Sequence, residues 1–251
     1  MPDAADSIAA NLERLRNQVT DACARSGRTV AEVALMAVSK MHPAEAILEA
    51  FAAGQRLFGE NRVQETQAKA LSFASLRETS ATSALGALSV HLIGPLQNNK
   101  TAKAAELFDA IDTLDSLKTG ERLNAAAQAL GKRLDVLVEV KLSPEETKHG
   151  LAPEQLPALL AALAPLANLD VRGLMTVPPW SEDPQNAGEH ARPYFRELRR
   201  LRDENLAAHP ALTQLSMGMS NDFAVAIEEG STCVRLGTAI FGKRDYSQTT
   251  S

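Results

Sequence analysis

Val33-Ala34-Leu35-Met36-Ala37-Val38-Ser39-Lys40 is a short apolar run that stops on a charge. Its length suits a strand covered on both faces better than a buried helix. Lysine is strongly hydrated and rarely leaves water unless paired, so an amine at the C-terminal lip of such a strand calls for a reason. The ordinary reading is a lysine that snorkels to solvent from a strand end. The alternative is a deprotonated amine able to attack a carbonyl, and position alone does not separate the two.

Outward from this run the chain alternates between two periods. Upstream, Ile8, Leu12, Leu15, Val19 and Ala22 recur at steps of four and three, which predicts an amphipathic helix ending near Gly27. Downstream, Pro43 is placed as a first helical residue, Ala46, Ile47, Ala50 and Phe51 form an apolar stripe, and Gly54 closes the helix. A short strand at Leu57-Phe58, a helix over 60–76 and a loosely ordered connection within 72–89 follow. Further strands are predicted at 90–93, 110–114, 134–140, 169–175, 212–217 and 232–236. Helices are predicted at 98–108, 116–130, 153–166, 184–208 and 220–229, with a short closing tail.

Eight short strands separated by helices imply parallel β-α-β units with helices over the sheet. In 251 residues that is the inventory of a single-domain α/β protein spanning 1–251, a (β/α)8 barrel of the TIM type with an extra N-terminal helix. An open doubly wound sheet for a dinucleotide would place Gly-x-Gly-x-x-Gly after the first strand, where this chain has Ser39-Lys40-Met41-His42.

Composition narrows the function classes. A net charge of −5, with acids and bases intermixed, argues against a nucleic-acid surface. The basic stretch from Arg196 to Arg202 holds Glu197 and adjoins Asp203 and Glu204, so it reads as a solvated helix face. The first residues lack a secretory h-region, and the apolar stretch from Leu156 to Val171 is broken by Pro157, Pro165, Asn168 and Asp170, so the expected location is the cytoplasm, away from membranes. Cys23 and Cys233 fall in helical and strand patterns with no Cys-x-x-Cys or histidine cluster, which predicts two reduced thiols and no metal.

In a (β/α)8 barrel reactive groups collect at the C-terminal ends of the strands, and phosphate is often held after strands seven and eight. After strand seven comes Ser216-Met217-Gly218-Met219-Ser220-Asn221-Asp222, where Ser220 is placed to cap the next helix. After strand eight comes Arg235-Leu236-Gly237-Thr238-Ala239-Ile240-Phe241-Gly242. One such loop is an ordinary turn; two in adjacent positions favour an anion site. An amine on strand one with a phosphate cradle on strands seven and eight describes a site for a phosphorylated aldehyde, of which pyridoxal 5′-phosphate (PLP) is the common cofactor. Arg235 could reach the pyridine nitrogen and, as a permanent cation, keep it unprotonated, although taken alone a structural ion pair is the better reading of this residue.

Six segments then become recognisable: 37–40 (Ala-Val-Ser-Lys), 58–65 (Phe-Gly-Glu-Asn-Arg-Val-Gln-Glu), 91–100 (His-Leu-Ile-Gly-Pro-Leu-Gln-Asn-Asn-Lys), 172–175 (Arg-Gly-Leu-Met), 215–220 and 234–242. In this order they resemble the pyridoxal phosphate homeostasis (YggS/PROSC) family over about residues 8–246. The resemblance implies a barrel related to the N-terminal domain of alanine racemase, with Lys40 carrying PLP as a Schiff base. It implies too that Asn61 lies near the ring, that Arg235 meets the pyridine nitrogen, and that Ser216, Met217, Ser220, Gly237 and Thr238 surround the phosphate. Two departures stand out: Lys141 where asparagine is usual, and Met41 where a small or hydroxyl residue is usual.

Racemisation needs two positioned bases. The resemblance implies that the second would come from a β domain this chain lacks, and its two tyrosines, Tyr194 and Tyr246, lie in a helix and in the tail. The expected function is therefore a monomeric carrier without catalytic residues, which holds PLP and yields it to apo-enzymes. A PLP-dependent amino-acid racemase and a class I aldolase are the rivals. Lys148 and His149 are candidates for assisting transfer, against the simpler reading of solvated loop residues.

Overall fold

Each predicted strand is too short to stand alone and too apolar to face water, so the chain satisfies it by lateral pairing and covers it with the helix that follows. The computed structural model describes residues 7–145 and 148–242. In it eight parallel strands close into a barrel in sequence order: β1 (Ala34–Val38), β2 (Leu57–Glu60), β3 (Ser89–Leu92), β4 (Ala110–Leu114), β5 (Leu134–Glu139), β6 (Leu169–Met175), β7 (Gln214–Ser216) and β8 (Cys233–Leu236). Closure is made by β8 on β1, with Ala34 opposite Cys233, Met36 opposite Arg235 and Ala37 opposite Leu236.

Helix α1 (Ile8–Arg25) precedes the barrel, with Ser7 accepting the Ala10 amide as its N-cap and Leu12, Leu15, Val19 and Ala22 buried on one face. The strands are then linked by α2 (Ala44–Ala52), α3 (Val63–Ala68), α4 (Ala70–Ser80), α5 (Thr101–Leu107), α6 (Leu117–Ala129), α7 (Leu156–Leu163), α8 (Ala187–Asn205) and α9 (Phe223–Glu228), and α10 (Thr238–Phe241) follows β8. α1 lies against α2, α9 and α10, and the Arg28 guanidinium just beyond it donates to the carbonyls of Ile227 (3.0 Å) and Ser231 (2.7 Å).

The architecture departs from the sequence pattern at several places. The helix expected over 60–76 is two helices that meet at Lys69, which ends α3 and begins α4. Helix α4 runs on to Ser80, so the first half of the loose connection expected from Ser72 is helical; Phe73 and Leu76 are buried, and the Phe73 ring stands edge-on to Phe58 at 6.4 Å. Pro43 is the N-cap of α2 rather than its first residue. The tail after β8 begins with a short helix, where Gly237 accepts the amides of Ile240 and Phe241.

The local basic stretch of α8 is neutralised. Arg200 pairs with Glu197 and Glu204, while Arg192, Arg196 and Arg199 converge on the buried carboxylate of Glu229. No described helix is long and apolar enough to cross a membrane.

Candidate functional site

Lys40 follows β1 by two residues and is half-buried at the strand's C-terminal end. Its neighbours across the barrel seam come from β8. Gly237 closes on β1 so tightly that a Cβ there would lie 3.3 Å from the Val38 carbonyl oxygen and 3.4 Å from its Cβ. Thr238, exposed, opens α10, whose first amides have no intrahelical acceptor. The amine, the glycine turn and the hydroxyl thus share one side of the barrel mouth.

Arg235, 5% exposed, is the cation of this face. Its Nη1 donates to Ser216 Oγ (2.7 Å) and its Nη2 to the Thr176 carbonyl (2.8 Å), so one guanidinium ties the ends of β6, β7 and β8. Ser216 is fully buried, and its hydroxyl accepts from arginine while retaining its own proton to donate. Met217 is fully buried too, its amide donating to Cys233 O at 3.1 Å. The Arg235 amide donates to Gly218 O at 2.9 Å.

The loop after β7 is built differently from the expectation. Asp222 holds the N-cap position of α9 without a capping side-chain bond; its carboxylate instead accepts the Met219 amide across a tight turn that precedes the helix. Ser220 is half-exposed beside that turn, and it also borders a groove of about 430 Å³ shared with Arg14, Phe223 and Ala239. Serine lost the cap because the helix starts three residues later than the apolar pattern suggests, at Phe223. Burial raises the Asp222 carboxyl, partly offset by the Met219 amide and Arg235.

Two further strands carry buried charged groups near the C-terminal face. Glu139 on β5 is pulled by Arg235 on β8, yet burial dominates and raises its carboxyl to about 7. Lower in the lumen, His91 Nδ1 lies 3.0 Å from Asp112 Oδ1 and His91 Nε2 3.1 Å from Ser89 Oγ. Burial pushes the Cys233 thiol up to about 12, which leaves it unreactive at neutral pH. Cys23 is buried and free as well. Among the described residues no cluster of histidine, cysteine and acidic groups could hold a metal.

Asn61 stands half-buried just after β2, pressed by the loop that follows β3. Gly94 makes that approach possible, because a Cβ there would lie 2.3 Å from Asn61 O and 2.9 Å from its Cα. Gly94→Ala is therefore expected to force the two loops apart and lower stability by about 2 kcal/mol, read as a reduced urea midpoint with an unchanged slope.

Several groups were missed in the sequence: Glu60, Glu65 and Lys69 beneath the Lys40 turn, Thr176 at the end of β6, and Glu139. Glu139 carried the signal that singled out Lys40, a charge within an apolar strand, and went unread. Of the fifth-loop residues, Lys141 is half-buried with its amide on Leu151 O (2.9 Å), and Lys148 Nζ lies 3.8 Å from Glu145 Oε2. Tyr194 is on α8 beside His190, at 6.3 Å between ring centroids, and Tyr246 lies outside the described residues.

Residues 5–245 match the family described as alanine racemase, N-terminal domain. Pyridoxal phosphate homeostasis protein of Vibrio cholerae is 44% identical over 242 residues, covering 96% of this chain and 98% of the relative. The chain belongs to the pyridoxal phosphate homeostasis proteins of the alanine racemase N-terminal domain family. Within this family the Escherichia coli K12 homeostasis protein is 42% identical over 250 residues, covering 97% of this chain and 99% of its own length. The structure of PipY from Synechococcus elongatus with PLP bound matches at 40% identity and a TM-score of 0.80, over 94% of this chain and all of that one. A Clostridium difficile alanine racemase, 16% identical with a TM-score of 0.68 over 98% of this chain and 59% of its own, shares the barrel fold.

Proposed function

We propose that this protein is a carrier for PLP, which it holds on Lys40 at the barrel mouth and hands to apo-enzymes, rather than a catalyst of amino-acid chemistry. The observation that carries the reading is the seam. Lys40, Arg235, Gly237 and Thr238 come from two adjacent strands, one end offering an amine and the other a cation, a close turn and a hydroxyl. The residues fit the group. PLP supplies an aldehyde that an amine can hold through a carbon-nitrogen double bond, with water leaving.

Each residue then has a part. Lys40 anchors. Ser220, Thr238 and the first amides of α9 and α10 bind the phosphate, helped by Ser216 and Met217 in the strand-seven loop. Asn61 orients the ring. Arg235, already fixed by Ser216 and Thr176, holds a permanent positive charge toward the ring nitrogen and so disfavours its protonation. A ring without that proton is a weaker electron sink, and this supports storage over carbanion chemistry. The relatives' name, pyridoxal phosphate homeostasis protein, and the PLP bound in PipY support the same reading. Racemisation would need a second base opposite Lys40, and Tyr194 on α8 is engaged with His190 away from the strand ends.

Purified protein loaded with PLP is expected to restore an apo-transaminase at a rate that follows the carrier's own loss of visible absorbance. Incubation with single enantiomers of alanine is expected to give no more inversion than Lys40→Ala, by chiral chromatography. Turnover of one enantiomer above that control would replace the carrier with a racemase.

A further inference from the structure

The residue that precedes Lys40 and the residue that follows it are held by a single buried side chain. Lys69, 9% exposed, sits at the break between α3 and α4 and turns its ammonium inward. Nζ donates to Ser39 O at 3.0 Å, to Glu60 Oε1 at 2.9 Å and to Glu65 Oε1 at 2.8 Å. Glu65 Oε1 in turn accepts the amide of Met41, and Glu60 Oε1 accepts the Ser39 hydroxyl at 2.7 Å. The two peptide planes that bracket the Cα of Lys40 are therefore both pinned, one directly by Lys69 and the other through Glu65.

The turn needs such a clamp. Met41 has φ +60, the one positive φ outside glycine among the described residues, a conformation that an ordinary side chain resists. A long lysine chain delivers its amine only as accurately as its backbone is set, and an error of about 1 Å at a reacting group can cost on the order of a hundredfold in rate. Glu60 adds that the cluster is more than surface decoration. It is fully buried, its Oε2 meets no hydrogen-bond partner, and burial raises its carboxyl against the pull of Lys69. A buried ion pair of this kind is weak evidence for stability and better evidence for fixing one conformation.

We propose that Lys69 is the positioning residue for Lys40, setting the turn that presents its amine to the aldehyde while having no share in the bond itself. Its Nζ donates to three oxygen acceptors, so it is committed to holding the turn. The inference rests on Lys40 being the anchoring amine.

The test compares wild type, Lys69→Met and Leu160→Ala, the last a buried α7 residue outside the site that serves as a control for general destabilisation. Three quantities are read: the affinity for pyridoxine 5′-phosphate, which has an alcohol in place of the aldehyde; the rate of PLP capture, by borohydride trapping and peptide mass spectrometry; and the reactivity of Lys40 toward trace acetic anhydride. Lys69→Met is expected to bind pyridoxine 5′-phosphate within about twofold of wild type, and to capture PLP at least about tenfold more slowly. Its Lys40 acetylation should differ from wild type, whereas Leu160→Ala leaves all three in place. Equal capture and equal acetylation in Lys69→Met and wild type would overturn the proposal, as would a loss of affinity and rate in the same proportion. If wild type itself captures no PLP at Lys40, the carrier reading fails, and the acetylation comparison still decides whether Lys69 sets that amine. Should Lys69→Met not fold, Glu60→Gln with Lys69→Met removes the stranded charge, and the same slow capture is expected.

Discussion

Lys40→Ala is expected to give a folded barrel that carries no pyridoxyl group after borohydride reduction and shows no visible band. The effect should be complete rather than graded, because among the described residues neither Lys69 nor Lys148 is placed to replace the amine. Lys69 Nζ is engaged by three oxygens beneath the turn. Lys148 belongs to the loop beyond β5 and keeps company with Glu145 at 3.8 Å. Lys40 is half-buried at a strand end, so its truncation removes little apolar contact, and the unfolding free energy should change by less than about 1 kcal/mol. Peptide mass spectrometry of the reduced protein reads the first outcome and urea denaturation the second. A pyridoxyl group found on another lysine in the wild-type protein would move the anchor and the reading with it.

The second large effect is on stability against pH, and it comes from Glu139. In the folded apo-protein its carboxyl titrates near about 7, because burial outweighs the attraction of Arg235; in the unfolded chain it returns to the ordinary glutamate value. The folded state therefore binds the proton more tightly, and between those two values it holds more protons than the unfolded chain. Stability must fall as pH rises through that window, and it is greatest below it. The group should contribute about 3 kcal/mol of differential stability between pH 4.5 and pH 8. Glu139→Gln keeps the shape and removes the titration, so urea unfolding at several pH values should show the wild-type curve falling relative to the variant across that range. Parallel curves would mean that Arg235 holds the carboxylate ionised throughout.

The parts of this molecule that sequence exposed are those set by local period. The span from Leu169 to Met175 is one strand as expected, and Ser116 caps the helix that ends at Ala129, because alternation, capping and turn chemistry act within a few residues. What escaped was set by distance in space. The break at Lys69 follows from a cation reaching back to Glu60 and Ser39, and no local pattern separates it from an ordinary helical lysine. Serine suits an N-cap, which favours Ser220 locally, but the helix begins at Phe223 and the carboxylate of Asp222 is spent on the Met219 amide in the turn before it. The site followed the same rule. Lys40 and the two glycine-bearing turns were legible as residue types at strand ends, whereas the Arg235 bonds to Ser216 and Thr176 needed the closed ring to bring β6, β7 and β8 side by side.

Ring closure also dictates when the cavity can exist. Strand β1 emerges early in synthesis, yet its ladder on one side waits for Cys233 to Leu236, and the arginine after α1 waits for Ile227 and Ser231. On the ribosome the amine of Lys40 is thus exposed long before its walls arrive. On the carrier reading, a reactive aldehyde met at that stage would find a lysine like any other, and selective capture would begin only once the last strand has been released and docked.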